Sequence, residues 1–160
     1  MDEHLTLLQR VKAQAEVLVP LIKRMELELG PDRAHQLVRG ALSDHYRAAA
    51  REYVRQNHGD RMAAFLQFGQ VSSAGGAIDM EVKDSPPGTM HVDVVRCSYA
   101  KFFHELGEPD LGFLLVCAAD YPTAEELGVG LGRTQTIMQG ADHCDFRWVL
   151  EPSSTATTEL

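Results

Sequence analysis

Apolar residues recur at helical spacing through Leu5, Leu8, Val11, Ala15, Leu18, Ile22, Met25 and Leu29, and Gly30-Pro31 ends the run. A period near 3.6 lays such residues along one stripe, so a first helix is expected over 5–29, kinked where Pro20 lacks a backbone donor. A second helix is expected after Asp32, an N-cap residue type, through Leu37, Val38, Ala41, Leu42, Ala49 and Tyr53 to the break at His58-Gly59-Asp60. Met62 to Val71 reads as a third, closed by Ser72-Ser73-Ala74-Gly75-Gly76.

After Gly76 the period falls to two. Ile78, Met80 and Val82 alternate with Asp79, Glu81 and Lys83, Pro86-Pro87-Gly88 turns the chain, and Met90, Val92 and Val94 resume the alternation up to Cys97. That pattern predicts an antiparallel hairpin. Ser98 can cap a helix carrying Tyr99, Phe102, Phe103 and Leu106, and a further helix is expected from Asp110 to about Asp120. Thr123-Ala124-Glu125-Glu126 matches a capping box for a short turn before Gly128. Two more strands, Val129–Met138 and Cys144–Leu150, flank a hairpin connection at Gln139-Gly140-Ala141-Asp142. The sum is one α+β domain over 1–152, N-terminal helices packed on a four-stranded, mostly antiparallel sheet, with a disordered tail at 153–160.

Composition narrows the function classes. A net charge of −8 with 15 dispersed basic residues argues against a nucleic-acid surface. No apolar run approaches the ~20 residues a membrane span needs, and an acidic Met1-Asp2-Glu3-His4 start is unlike a secretory signal, so a cytoplasmic protein with reduced thiols is expected. A small-molecule partner fits better than a polymer. The apolar stripe of the first helix also suggests self-association through the N-terminal helices.

Three clusters carry candidate chemistry. Cys97, where a strand hands over to a helix, would have its thiol pKa lowered by the free amides of the helix start. Cys117 precedes Asp120 by three positions, which on a helix makes thiol and carboxylate neighbours; the carboxylate would raise the thiol pKa. His143-Cys144-Asp145-Phe146-Arg147 crowds polar groups at a strand start, where alternation puts Asp145 and Arg147 on one face and Cys144 on the other. Arg133 and Thr134 follow Gly130 and Gly132 on the partner strand, where glycines permit close approach of a ligand. Plain core or solvated roles compete at every position. Cys97, Cys117, Cys144 and His143 could together hold zinc, but no Cys-x-x-Cys or His-x-x-x-His pair supports it. The expectation is therefore no cofactor, with zinc as the alternative. Gly-x-Ser-x-Gly, Gly-x-Gly-x-x-Gly and P-loop motifs are missing.

In order and spacing, the blocks Arg96-Cys97-Ser98-Tyr99-Ala100, Leu106-Gly107, Cys117-Ala118-Ala119-Asp120, Arg133-Thr134-Gln135-Thr136-Ile137 and Gly140-Ala141-Asp142-His143-Cys144-Asp145-Phe146-Arg147 resemble the L-2-amino-thiazoline-4-carboxylic acid hydrolase family. The resemblance covers roughly residues 5 to 150 and concentrates after residue 90. It implies a hydrolase acting on C–N or C–S bonds of a small heterocycle, opening a cyclic isothiourea to N-carbamoyl-L-cysteine. For such a ring the expected catalytic set is Cys97 as nucleophile, with Asp120, His143, Cys117 and Cys144. Asp120 or Asp145 would hold the ring N–H groups, His143 would activate water, and Arg133 or Arg147, with Thr134, would take the substrate carboxylate. The competing class is a non-catalytic small-ligand-binding or thiol redox-sensing module.

Overall fold

The computed structural model describes residues 5–150. The expected tail at 153–160 lies outside them.

Three long helices come first: α1 (Leu7–Leu29), α2 (Pro31–Gln56) and α3 (Arg61–Ser73). Thr6 and Gln9 close a capping box on α1, which runs unbroken through Pro20. Gly30, at φ 80°, then reverses the chain, and α2 starts with Pro31 in its first turn. Pro31 needs no donor there, so the helix begins earlier than the expected Asp32 cap, and Asp32 instead supplies negative charge to the first turn. Asp60 caps α3 by accepting from the Ala63 amide.

The hairpin follows as expected, β1 (Ile78–Lys83) paired antiparallel with β2 (Thr89–Cys97), with a bulge between Asp79 and Met80. Next come α4 (Ser98–Glu105), α5 (Pro109–Leu115), a 3-10 turn at Cys117–Ala119, α6 (Asp120–Leu127), β3 (Val129–Gly132), a second 3-10 turn at Ile137–Gln139 and β4 (Cys144–Leu150). The sheet order is β1-β2-β4-β3, with every neighbouring pair antiparallel. This is the α+β architecture expected.

Four local expectations change. The helix expected from Asp110 toward Asp120 ends at Leu115, and the 3-10 turn at Cys117–Ala119 leads into a new helix, α6, whose first turn holds Pro122, where the missing N–H costs no helical bond. Thr123 lies inside α6 and caps nothing. The strand expected over Val129–Met138 stops at Gly132, where the chain turns away to be held by Asp145. Cys97, not Ser98, is the cap of α4.

Two apolar cores result. One joins α1, α4 and α5 through Ala15, Ile22, Phe103, Leu111 and Met138; the other joins α2, α3 and α6 to the sheet through Ala50, Phe65, Leu127, Val129 and Trp148. Val92, Val94, Cys144 and Trp148 are buried on the helix-covered face of the sheet. Among the described residues no helix is long and apolar enough to cross a membrane.

Candidate functional site

The break between α5 and α6 builds the site. It places the Cys117 turn beside the start of α6, so Asp120 and the Cys117 carbonyl both face Arg133, the first residue after β3. Arg133 donates from Nη1 to Asp120 Oδ2 at 2.5 Å and from Nη2 to the Cys117 carbonyl at 3.0 Å. Its guanidinium carbon lies 5.0 Å from the Phe146 ring, 5.2 Å from Tyr121 and 5.9 Å from Phe113, near enough for ring faces to stabilise a desolvated cation.

Burial dominates the electrostatics. It pushes the Asp120 carboxyl up to about 6, although Arg133 pulls the other way by charge and hydrogen bond. Desolvation is the largest influence on Arg133, but the Asp120 charge and hydrogen bond together with Cys117 and Tyr121 outweigh it, so Arg133 is raised and stays protonated. The thiols of Cys97, Cys117 and Cys144 are all raised, in each case chiefly by burial. For Cys97 this reverses the expected fall. The helix start is present, and the Ala100 amide points at Sγ from 3.4 Å, but the Ala100 and Tyr99 amides do not offset desolvation.

The three sulfurs share one neighbourhood. Cys117 feels the charges of Cys97, Cys144, Asp120 and Arg133, and Cys144 feels those of Cys97, Arg133 and Asp120. The Ile137 amide donates to Cys144 Sγ at 3.2 Å. Tyr99, whose hydroxyl donates to the Ser72 carbonyl, is pushed up to about 12, chiefly by burial and then by the charges of Cys97 and Asp120.

Asp145 stands on the margin. It accepts from the Thr134 amide and hydroxyl at 2.9 and 2.6 Å and from the Gln135 amide at 2.9 Å. Burial would raise its carboxyl, but these hydrogen bonds outweigh it and bring it down to about 2. Asp145 and Thr134 thus pin the loop that delivers Arg133. Arg147 and His143 are elsewhere, on the opposite face of the sheet, around Asp93. Arg147 donates to Asp93 at 2.8 Å, and His143 lies 3.9 Å from Asp93 and against Gln135.

Tyr46 joins the site without any local sequence signal. Its hydroxyl donates to the Leu115 carbonyl at 2.8 Å, replacing the helical partner lost at the α5 break, and burial together with Asp120 pushes it up to about 12. Among the described residues no three His, Cys, Asp or Glu side chains are grouped to hold a metal ion. Near Arg133 stand one partly buried carboxyl raised to about 6 and thiols held protonated, a set suited to moving protons around a small polar ligand.

None of the curated proteins matches the chain. Among solved structures, the phenol-responsive sensory domain of the transcription activator PoxR with phenol is similar at 15% identity and a TM-score of 0.49, covering 82% of this chain and 71% of that one. That likeness is too distant to bear on function. The family model for L-2-amino-thiazoline-4-carboxylic acid hydrolase matches residues 10–148, and the chain belongs to that family.

Proposed function

We propose that the protein is a hydrolase opening a small cyclic amidine or isothiourea ring, a 2-amino-thiazoline-4-carboxylate-like substrate giving an N-carbamoyl-cysteine-like product. What supports this reading is the Arg133–Asp120 pair, closed on the Cys117 carbonyl, with the Cys97, Cys117 and Cys144 thiols within electrostatic reach of it. A substrate with a cationic ring and a carboxylate is matched by one acidic and one basic group.

In this reading the ring cation, bound beside Cys97, lowers a thiol pKa that burial keeps high at rest. Asp120, ionised above about pH 6, accepts the Cys97 proton. The thiolate adds to the carbon bonded to two nitrogens and one sulfur. The ring carbon–sulfur bond then breaks, and the leaving sulfur takes the proton back from Asp120. Water adds to the resulting isothiourea carbon with Asp120 again as base, and expulsion of the Cys97 thiol leaves a carbamoyl group. Arg133 draws the substrate carboxylate, and Asp145 acts as a positioning residue through Thr134. His143 and Arg147 take no part, and no cofactor is required.

Incubation with 2-amino-thiazoline-4-carboxylate should release free thiol and N-carbamoyl-cysteine, detected by thiol titration and mass spectrometry. Turnover should survive chelation and vanish in Cys97→Ala. Full turnover in that variant overturns the nucleophile, whereas loss on chelation moves the chemistry to zinc-activated water.

The raised thiol pKa values favour, within the second reading of a non-catalytic small-ligand-binding or redox-sensing module, ligand binding over redox sensing, which needs an accessible thiolate. It expects the same compounds to raise the melting temperature without being consumed.

A further inference from the structure

A groove of about 560 Å³ runs between α1 and α2, outside the thiol cluster. Val11, Leu18 and Leu42 form its sides, with Phe103 and Leu115 behind them. Ala15, 2% exposed, packs into the core at the groove floor. Lys, Arg, Asp and Glu are missing from the lining of a chain in which they make up 24% of residues, and the polar side chains present are those of Gln14, His45 and Tyr46. A charged ligand would lose its hydration there with nothing opposite to replace it. A neutral ring keeps the apolar contacts and can still reach an amide or imidazole at the edge.

Tyr46 ties this groove to the site. Its ring lines the groove, while its hydroxyl holds the Leu115 carbonyl at the break that sets the Cys117 turn. The Cys117 carbonyl in turn accepts from Arg133. We infer that the groove binds a small neutral, largely apolar ring compound, and that its occupancy is relayed through Tyr46 and Leu115 to the Cys117–Asp120–Arg133 cluster.

Indole is a suitable probe, with indole-3-carboxylate and tryptamine as its anionic and cationic counterparts. Calorimetry and NMR should show saturable indole binding that shifts the Leu18, Leu42 and Tyr46 resonances, with both charged analogues weaker by about tenfold or more. Gln14→Trp, at the exposed edge of the groove, should obstruct it and weaken binding by about tenfold or more. Indole should also slow alkylation of Cys117 severalfold, and Tyr46→Phe should keep the binding but remove that effect. Equal affinity for the charged rings, unchanged affinity in Gln14→Trp, or a Cys117 rate indifferent to indole overturns the inference. None of these readouts needs turnover, so the groove stands or falls separately from hydrolysis.

Discussion

Arg133 reaches Asp120 across 2.5 Å with 2% of its own side chain exposed against 19% for the aspartate. The cation is therefore the more deeply buried partner, and it is held by two hydrogen bonds and three aromatic rings as well as by charge. Removing it in Arg133→Met takes away what holds the Asp120 carboxyl down and leaves the Cys117 carbonyl without its donor, so Asp120 should take up a proton at pH 7, with an expected loss of about 3–5 kcal/mol in denaturant unfolding. Arg133→Lys should recover little, because one ammonium cannot span the Asp120 carboxylate and the Cys117 carbonyl while lying among the rings. A lysine variant as stable as the native chain would reduce the contact to simple charge pairing.

The Asp120 carboxyl should give the protein an unusual pH dependence. Between its ordinary value of 3.8 and its folded value of about 6, the folded state keeps a proton that the unfolded chain has lost. Its contribution is thus full at the acid end and is lost as pH rises through about 6, amounting to roughly 3 kcal/mol at most. Asp145 works the other way. With a folded value of about 2, its contribution is present above 3.8 and is lost as pH falls through about 2. Subtracting the unfolding free energies of Asp120→Asn from those of the native protein should leave a curve that falls from about pH 4 to about pH 6. A flat difference curve rules out the raised carboxyl.

Which parts of this arrangement were legible in the sequence follows from the range over which each is determined. The β1–β2 hairpin and the first three helices are local, written in period two, period 3.6 and the breaks at Gly30-Pro31 and Pro86-Pro87-Gly88. Cys97 and Cys144 could be nominated from their place at strand ends, Cys117 and Asp120 from their spacing of three, and Arg133 from the glycines before it. Their surroundings could not be read, since burial depends on helices far away in the chain, and burial reverses the expected direction for Cys97. Tyr46 was invisible because its partner, Leu115, is 69 residues away. The end of β3 was missed because side-chain hydrogen bonds from Asp145, not strand propensity, carry the chain away after Gly132.

Gly112 marks the tightest approach of α4 and α5. A Cβ there would stand 2.6 Å from Phe103 Cγ and 2.6 Å from Met138 Sδ. Phe103 and Met138 are essentially fully buried, so neither side chain has room to retreat. Gly112→Ala should cost about 1–3 kcal/mol despite its better helix propensity. Thermal unfolding that leaves the variant equal to or above the native protein would mean that the two helices can separate freely.

Asp145 should matter more to activity than its position outside the thiol cluster suggests. Asp145→Ala removes the three hydrogen bonds from the Thr134 amide and hydroxyl and the Gln135 amide, leaving the Gln135 side chain's contact with His143 to hold Thr134 and Gln135 in the loop after β3. The expected result is a loss of about 2–4 kcal/mol in stability together with a higher KM. Asp145→Asn, which still accepts through its carbonyl oxygen, should recover part of both. Recovery of stability without any recovery of KM would separate the loop from substrate binding.

The order in which the thiols react tests how burial and helix amides compete. All three are held above the ordinary value of 9.0, so alkylation by iodoacetamide at neutral pH should be slower than for a free cysteine. As pH rises, Cys97 should be modified first, because the Ala100 and Tyr99 amides partly offset its desolvation, whereas Cys144, which also accepts an amide, is buried. Cys117 should come last, since burial and the Asp120 charge both oppose its ionisation. Peptide mass spectrometry across a pH series reads the order directly. Asp120→Asn removes the opposing charge and should advance Cys117 while burial still holds it above Cys97. Rapid labelling of Cys117 at neutral pH in the native protein would require a standing thiolate beside Arg133, and would move the nucleophile from Cys97 to Cys117.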